Sequence, residues 1–119
     1  MNEILPVSYG AGIYRPADFA TLTQALDYAA LGPAGLNFYS GKGELLESLP
    51  YRDLRDSAQS IARRMRAAGL IMGERVAILA DTNADFVRAL GACQYAGLAP
   101  AAMPLPMAFG GKKGYMSHI

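Results

Sequence analysis

Residues 75–103 constrain this chain more than any other stretch. "RVAILA" (75–80) is a short apolar run without polar alternation, the pattern expected of a strand covered on both faces. Asp81-Thr82-Asn83 closes it, and Thr82 or Asn83 can cap a helix over 84–96 in which Phe86, Ala89, Leu90, Cys93 and Ala96 form a stripe ending at Gly97. Ala89, Gly91 and Ala92 keep that helix slim. "LAPAAMPLP" then supplies a second strand over 99–103, ended by prolines that cannot donate to a sheet ladder. Strand, helix and strand within about thirty residues make a βαβ unit, a crossover that is almost always right-handed with its strands parallel. The expected class is α/β.

The flanks fit that class without completing it. From Tyr51 to Ala68 the residues Tyr51, Leu54, Ala58, Ile61, Met65 and Ala68 step by three and four, which predicts an amphipathic helix over 51–68 ended by Gly69 in a left-handed conformation. Arg63, Arg64 and Arg66 fall in its last turns, where they oppose the negative end of the helix. Upstream, two apolar runs around Ser40-Gly41-Lys42-Gly43 predict a hairpin near 36–48. A short helix precedes it, with Thr21 as N-cap, Leu22, Ala25, Leu26 and Ala29 as its apolar positions and Gly32-Pro33 as its stop. Pro6, Gly10, Gly12 and Pro16 make residues 1–20 an irregular arm. Two parallel strands and a hairpin are fewer than a sheet covered on both faces normally contains, so the domain is expected to be incomplete.

Composition narrows the setting. A length of 119 residues suits one domain, and 52% hydrophobic against 18% charged residues is too apolar for disorder. No apolar run reaches the roughly 20 residues of a membrane span. Eleven basic and ten acidic side chains leave +1, so composition carries no footprint for nucleic acid, and local charge has to be judged separately. The single cysteine, Cys93, excludes an internal disulfide and a Cys-rich zinc site, and the start "MNEILPVSYGAG" lacks the shape of a secretory signal. A cytoplasmic protein is expected.

Each motif that invites a chemical reading also has a structural one. A phosphate-binding P-loop needs G-x-x-x-x-G-K-[ST]. Gly111-Lys112 is followed by Lys113, Gly41-Lys42 by Gly43, and Gly35 stands one residue too far upstream, so neither Gly-Lys pair qualifies. No glycine follows "RVAILA", which removes a dinucleotide fold. Asp81 ends a strand as the phosphoacceptor of a receiver domain does, but the acidic company, hydroxyl strand and lysine strand of that site are missing from the order. His118 lies next to the C-terminus, Cys93 belongs to an apolar stripe, and Asp53 and Asp56 fall on a solvated helix face. From the residues alone there is no catalytic, cofactor-binding or metal-binding residue to assign.

The stretch from Pro50 to Pro106 resembles the early N-terminal region of the adenylate-forming superfamily, which includes acyl-CoA synthetases, fatty acyl-AMP ligases and nonribosomal adenylation domains. Tyr51 and Leu54 stand at the family's helix opening, "AAGLIMGERVAIL" resembles its Leu-Gly, Gly-Asp-Arg-Val-Ala segment with Glu74 for Asp, and "TNADFVRALGACQYAG" resembles its Asn-x-x-x-Phe helix and Ala-Gly exit. Pro50 departs from the usual capping Thr or Ser. "APAAMPLPMAFGGKKGYMSHI" is similar to the fatty acyl-AMP ligase branch, which makes "GGKK" a link between strand and helix.

The resemblance implies an incomplete N-terminal subdomain of the adenylate-forming fold: residues 1–119 would be a partial AMP-binding domain stopping before the phosphate loop. It implies a parent enzyme that uses ATP and magnesium to turn a fatty acid into an acyl-adenylate and passes the acyl group to a carrier-protein thiol. None of the family's reactive residues has a matching position here, so the 119 residues alone are expected to be inactive and to bind no cofactor. Its partners would be the rest of that enzyme and, through an exposed sheet edge, a second copy. Two alternatives stay open, a parent acyl-CoA synthetase and a stand-alone α/β interaction module.

Overall fold

Seven elements occupy residues 16–105, the part of the chain that the computed structural model describes. They run α1 (Leu22–Ala29), β1 (Gly35–Tyr39), β2 (Leu45–Pro50), α2 (Tyr51–Ala67), β3 (Arg75–Leu79), α3 (Ala84–Ala96) and β4 (Ala99–Met103). The first fifteen residues of the expected arm, the Gly-Gly-Lys-Lys loop at 110–113 and His118 lie outside the described residues.

Small residues let α2 and α3 approach closely. Ala58 on α2 and Ala92 on α3 are completely buried, and a Cβ added to Gly91 would stand 3.2 Å from Ala58 Cβ and 3.9 Å from Leu54 Cδ1. The seam differs from the sequence-derived stripes in a consistent way. On α2 the buried residues are Leu54, Ala58 and Ala62, with Ile61 and Met65 half-buried and Ala68 exposed. On α3 they are Ala84, Ala92, Cys93 and Ala96, while Leu90 is 36% exposed. A stripe drawn through the largest apolar side chains misses the alanines, because tight helix contact selects for the absence of bulk.

Two apolar clusters hang from this helix pair. Ala62, Ile78, Cys93, Ala96 and Leu98 form one, joining α2 and α3 to β3. Leu49, Leu54 and Ala84 form the other, joining them to the hairpin, with Leu26 of α1 packed against it. No residue of α1 is fully buried, and Leu22, expected on its inner face, is 69% exposed. Thr21 does cap α1, its Oγ1 accepting from the Gln24 N–H at 3.2 Å.

β3 and β4 pair in parallel from Arg75 opposite Ala99 to Leu79 opposite Met103, which completes the expected βαβ unit. Asn83 caps its helix by accepting from the Phe86 N–H at 3.0 Å, and Gly97 ends it at φ 73°. Coverage of β3 on both faces is not observed. Ile78 enters the core, but Arg75, Ala77 and Leu79 are exposed, because the described residues supply helices to only one side of this two-stranded sheet.

β1 and β2 form a separate antiparallel hairpin whose register slips between Phe38 and Tyr39. Strand passes into helix without a loop: Pro50 is both the end of β2 and the N-cap position of α2, with φ −57° and no side-chain hydrogen bond. The Tyr51 N–H still reaches the Ala34 carbonyl at 3.0 Å. Opposite this joint, a Cβ on Gly35 would meet Pro50 Cα at 2.6 Å, so the crossing requires glycine.

Enlarging the seam should be costly. Ala58→Leu is expected to destabilise the chain by about 1–3 kcal/mol through overpacking, read as a lower urea midpoint, whereas Ala67→Leu on the exposed end of the same helix should stay within about 0.5 kcal/mol.

Candidate functional site

The turn at Ser40-Gly41-Lys42-Gly43 closes on itself. Ser40 Oγ accepts from the N–H groups of Lys42 at 3.2 Å and Glu44 at 3.1 Å, and the Ser40 carbonyl accepts from Gly43 N–H at 3.0 Å. Gly43 takes the positive φ of 84° that the turn requires. A phosphate cradle needs backbone N–H groups pointing at a ligand. Here three such groups already have partners within the turn, so Gly41-Lys42 is a hairpin connection, as expected.

Asp81 accepts from the Thr82 N–H at 2.8 Å, a local contact at the exit of β3. Cys93 is fully buried and burial pushes its thiol above the ordinary range, which keeps it protonated and unreactive. Asp53 and Asp56 are exposed on α2. Asp56 lines an open groove of about 430 Å³ with Ser57, Ser60, Ile61, Arg64 and Arg88. Among the described residues no three His, Cys, Asp or Glu side chains stand together as a metal site.

The polar side chains that do converge were not singled out by the sequence. Asp27 of α1 accepts from Tyr95 Oη of α3 at 2.6 Å and from Arg55 Nε of α2 at 3.0 Å, through the same Oδ1 atom. Arg55 and Asp27 are partly exposed, 37% and 45%, so their attraction is largely screened. Desolvation first, and then the Asp27 carboxylate, push the Tyr95 phenol well above its ordinary value. That phenol is a fixed donor rather than a proton shuttle. A second junction is built by Arg88, whose Nη2 donates to Glu47 of β2 and whose Nη1 donates to Asp85, both at 3.0 Å. Arg66 Nη2 reaches the Tyr95 and Ala96 carbonyls at 3.4 and 3.3 Å, closing the C-terminal end of α3. Arg66 thus serves the neighbouring helix as well as the end of its own. The partners lie 28, 68, 41 and 29–30 residues apart, a separation that no local spacing rule detects. Apart from the Arg88–Asp85 pair within α3, all of them join elements, and the grooves that Arg88, Arg66 and Tyr95 line are open.

Comparison with known proteins sets this scaffold in context. The sequence profile of a family described as AMP-binding enzyme matches residues 33–108. A Caulobacter vibrioides (strain NA1000 / CB15N) protein named as an acyl-CoA synthetase is 58% identical over 105 residues, covering 88% of this chain and 18% of that protein. A structure from a study of fatty acyl-adenylate ligases of E. coli and L. pneumophila matches with TM-score 0.76 and 47% identity, over 81% of this chain and 17% of the other. A fatty acyl-adenylate ligase from L. pneumophila in complex with acyl adenylate and pyrophosphate matches with TM-score 0.65 and 25% identity, over 75% of this chain and 16% of the other. The chain therefore spans less than a fifth of the length of these relatives.

The Asp27 junction gives a pH-dependent test. Tyr95→Phe should lower stability at neutral pH by about 1 kcal/mol, the usual size of a lost hydrogen bond. Because the folded-state phenol titrates above its unfolded value of about 10, the difference between the two proteins should stay constant below that pH. Above it the unfolded tyrosine ionises first, so the difference should shrink; paired denaturation curves from neutral to alkaline pH read both effects.

Proposed function

Because this chain belongs to the AMP-binding enzyme family and matches the N-terminal portion of the adenylate-forming fold, we propose that it is the opening segment of a fatty acyl-adenylate ligase-like enzyme. In this reading residues 1–119 are a partial AMP-binding domain that builds one wall of the enzyme and stops short of its phosphate-binding loop. The parent activates a fatty acid with ATP and magnesium, releases pyrophosphate, and hands the acyl group to a carrier-protein thiol in the cytoplasm. The observation that carries this reading is the 47% identity and TM-score of 0.76 to the fatty acyl-adenylate ligase structure.

The chemistry supplied by the nucleotide and metal lies outside these residues. What this segment contributes is position: the α2–α3 seam fixes β3 and β4 in parallel register, and the hairpin is tied to α3 through Glu47 and Arg88. The bare face and edges of the β3–β4 pair, with Leu79 56% exposed, are the surface on which further strands and helices of the parent would be laid. In their absence the same surface would bring copies of the chain together. A parent acyl-CoA synthetase is the second reading, favoured by the 58% identity to the Caulobacter protein of that name.

Four measurements test these readings. The isolated chain should give no fatty-acid-dependent ATP–pyrophosphate exchange, and measurable exchange overturns the assignment of all reactive groups to the rest of the parent. A chimera in which this chain replaces the matching 105 residues of the Caulobacter relative should retain whatever exchange that relative shows, and a dead but folded chimera counts against the reading. Supplying the active chimera with coenzyme A or with a phosphopantetheinylated carrier protein separates the two parents. Light scattering on the isolated chain should show self-association; a monodisperse monomer favours a stand-alone module.

A further inference from the structure

The near-zero net charge conceals a local imbalance at the C-terminal end of α2. Two open grooves meet there at Arg66. One, of about 290 Å³, is lined by Gln59, Ala62, Arg63, Arg66 and Tyr95. The other, of about 300 Å³, is lined by Arg66, Leu70, Ile71, Met72 and Ala96. Neither contains a carboxylate. The acid of the adjoining loop, Glu74, is engaged: its Oε2 accepts from the Ile71 N–H at 2.9 Å. Exposed Arg75 follows directly.

Beside these cations the loop holds two apolar side chains in water, Ile71 at 67% and Met72 at 78% exposure. The loop itself is well tied. The Ile71 carbonyl accepts from Glu74 N–H at 3.1 Å, and the Gly73 N–H donates to the Gly97 carbonyl at 2.8 Å. Gly73 has the positive φ of 90° that makes the tight return. Backbone groups satisfied inside the loop do not need water, which lowers the cost of moving its tip into a less polar medium.

An apolar loop tip whose Ile71, Gly73 and Glu74 amides are bonded, with arginines beside it, has the physical form of an interfacial membrane contact. We propose that Ile71 and Met72 insert into the headgroup boundary of an anionic membrane while Arg63 and Arg66 lie against its phosphates. This surface is independent of the catalytic reading above, since it uses only residues of this chain and no adenylation chemistry.

The full 119-residue chain is mixed with vesicles of phosphatidylcholine alone or of phosphatidylcholine with phosphatidylglycerol, and sedimented. It should pellet with the anionic vesicles only, and added salt should release it. Ile71→Asp with Met72→Asp should reduce binding more than tenfold, and Arg63→Ala about fivefold, the effect of one basic residue near such a surface. The chain contains no tryptophan, so Met72→Trp supplies a single tryptophan whose emission, excited apart from the tyrosines, should shift to the blue on adding anionic vesicles. No pelleting and no shift overturn the proposal, as does pelleting that survives the double Asp variant with its circular dichroism unchanged. Binding to polyglutamate but not to anionic vesicles also overturns it, by marking the surface as one for an acidic protein.

Discussion

Everything else in this chain depends on how near α2 and α3 stand to each other. With Ala58 and Ala92 wholly buried and Gly91 facing Ala58 and Leu54, the helix pair is a contact of small groups. Close approach maximises dispersion contacts between atoms that carry little side-chain entropy to lose. The same approach sets both apolar clusters: Ala62, Cys93 and Ala96 turn toward β3, while Leu54 and Ala84 turn toward the hairpin. If the helices separated, Ile78 on one side and Leu49 on the other would lose the surface they are buried against. Arg66 reinforces the seam from its open end by meeting carbonyls that α3 leaves without helical partners.

Much of this was legible in the residues. Local rules gave the element order, because their causes are local: Thr21 and Asn83 cap helices through their own side chains, and Gly69 and Gly97 end helices at positive φ. Periodicity was less informative about which side chains meet. It favours bulk, and the seam here is made by alanine and glycine. It also treats an apolar strand as buried on both sides, although Leu79 meets solvent in the described residues. The junctions at Asp27 and Arg88 were invisible for a different reason. A carboxylate, an arginine and a tyrosine far apart in the chain carry no joint signal until the fold brings them together.

Conformation also decides what the Gly-Lys turn can bind. A Gly-Lys pair draws attention because glycine exposes backbone amides and lysine carries charge, but whether those amides are free is a matter of conformation. At Ser40–Glu44 the serine hydroxyl and carbonyl take them up, and the turn has no donors to offer from those groups. Polar groups elsewhere follow this pattern. Asp27, Arg55, Tyr95, Glu47 and Arg88 bind one another across elements, so their chemistry is used to hold geometry. Such a segment holds strands in place, and the relatives it matches are far longer proteins.

Exposed apolar side chains divide along physical lines. Leu79 lies on a flat strand beside unpaired sheet edges, where the missing element is another layer or strand, and where partner backbone would satisfy donors and acceptors that now face water. Ile71 and Met72 stand on a tight loop whose Ile71 and Gly73 amides are already bonded. A strand edge asks for hydrogen bonds as well as apolar cover; this loop tip asks for apolar cover next to negative charge. One surface therefore suits the continuation of a protein fold, and the other a boundary that has charge on its outside and hydrocarbon beneath. The arginines at the end of α2 give the loop the charge that a lipid headgroup would complement.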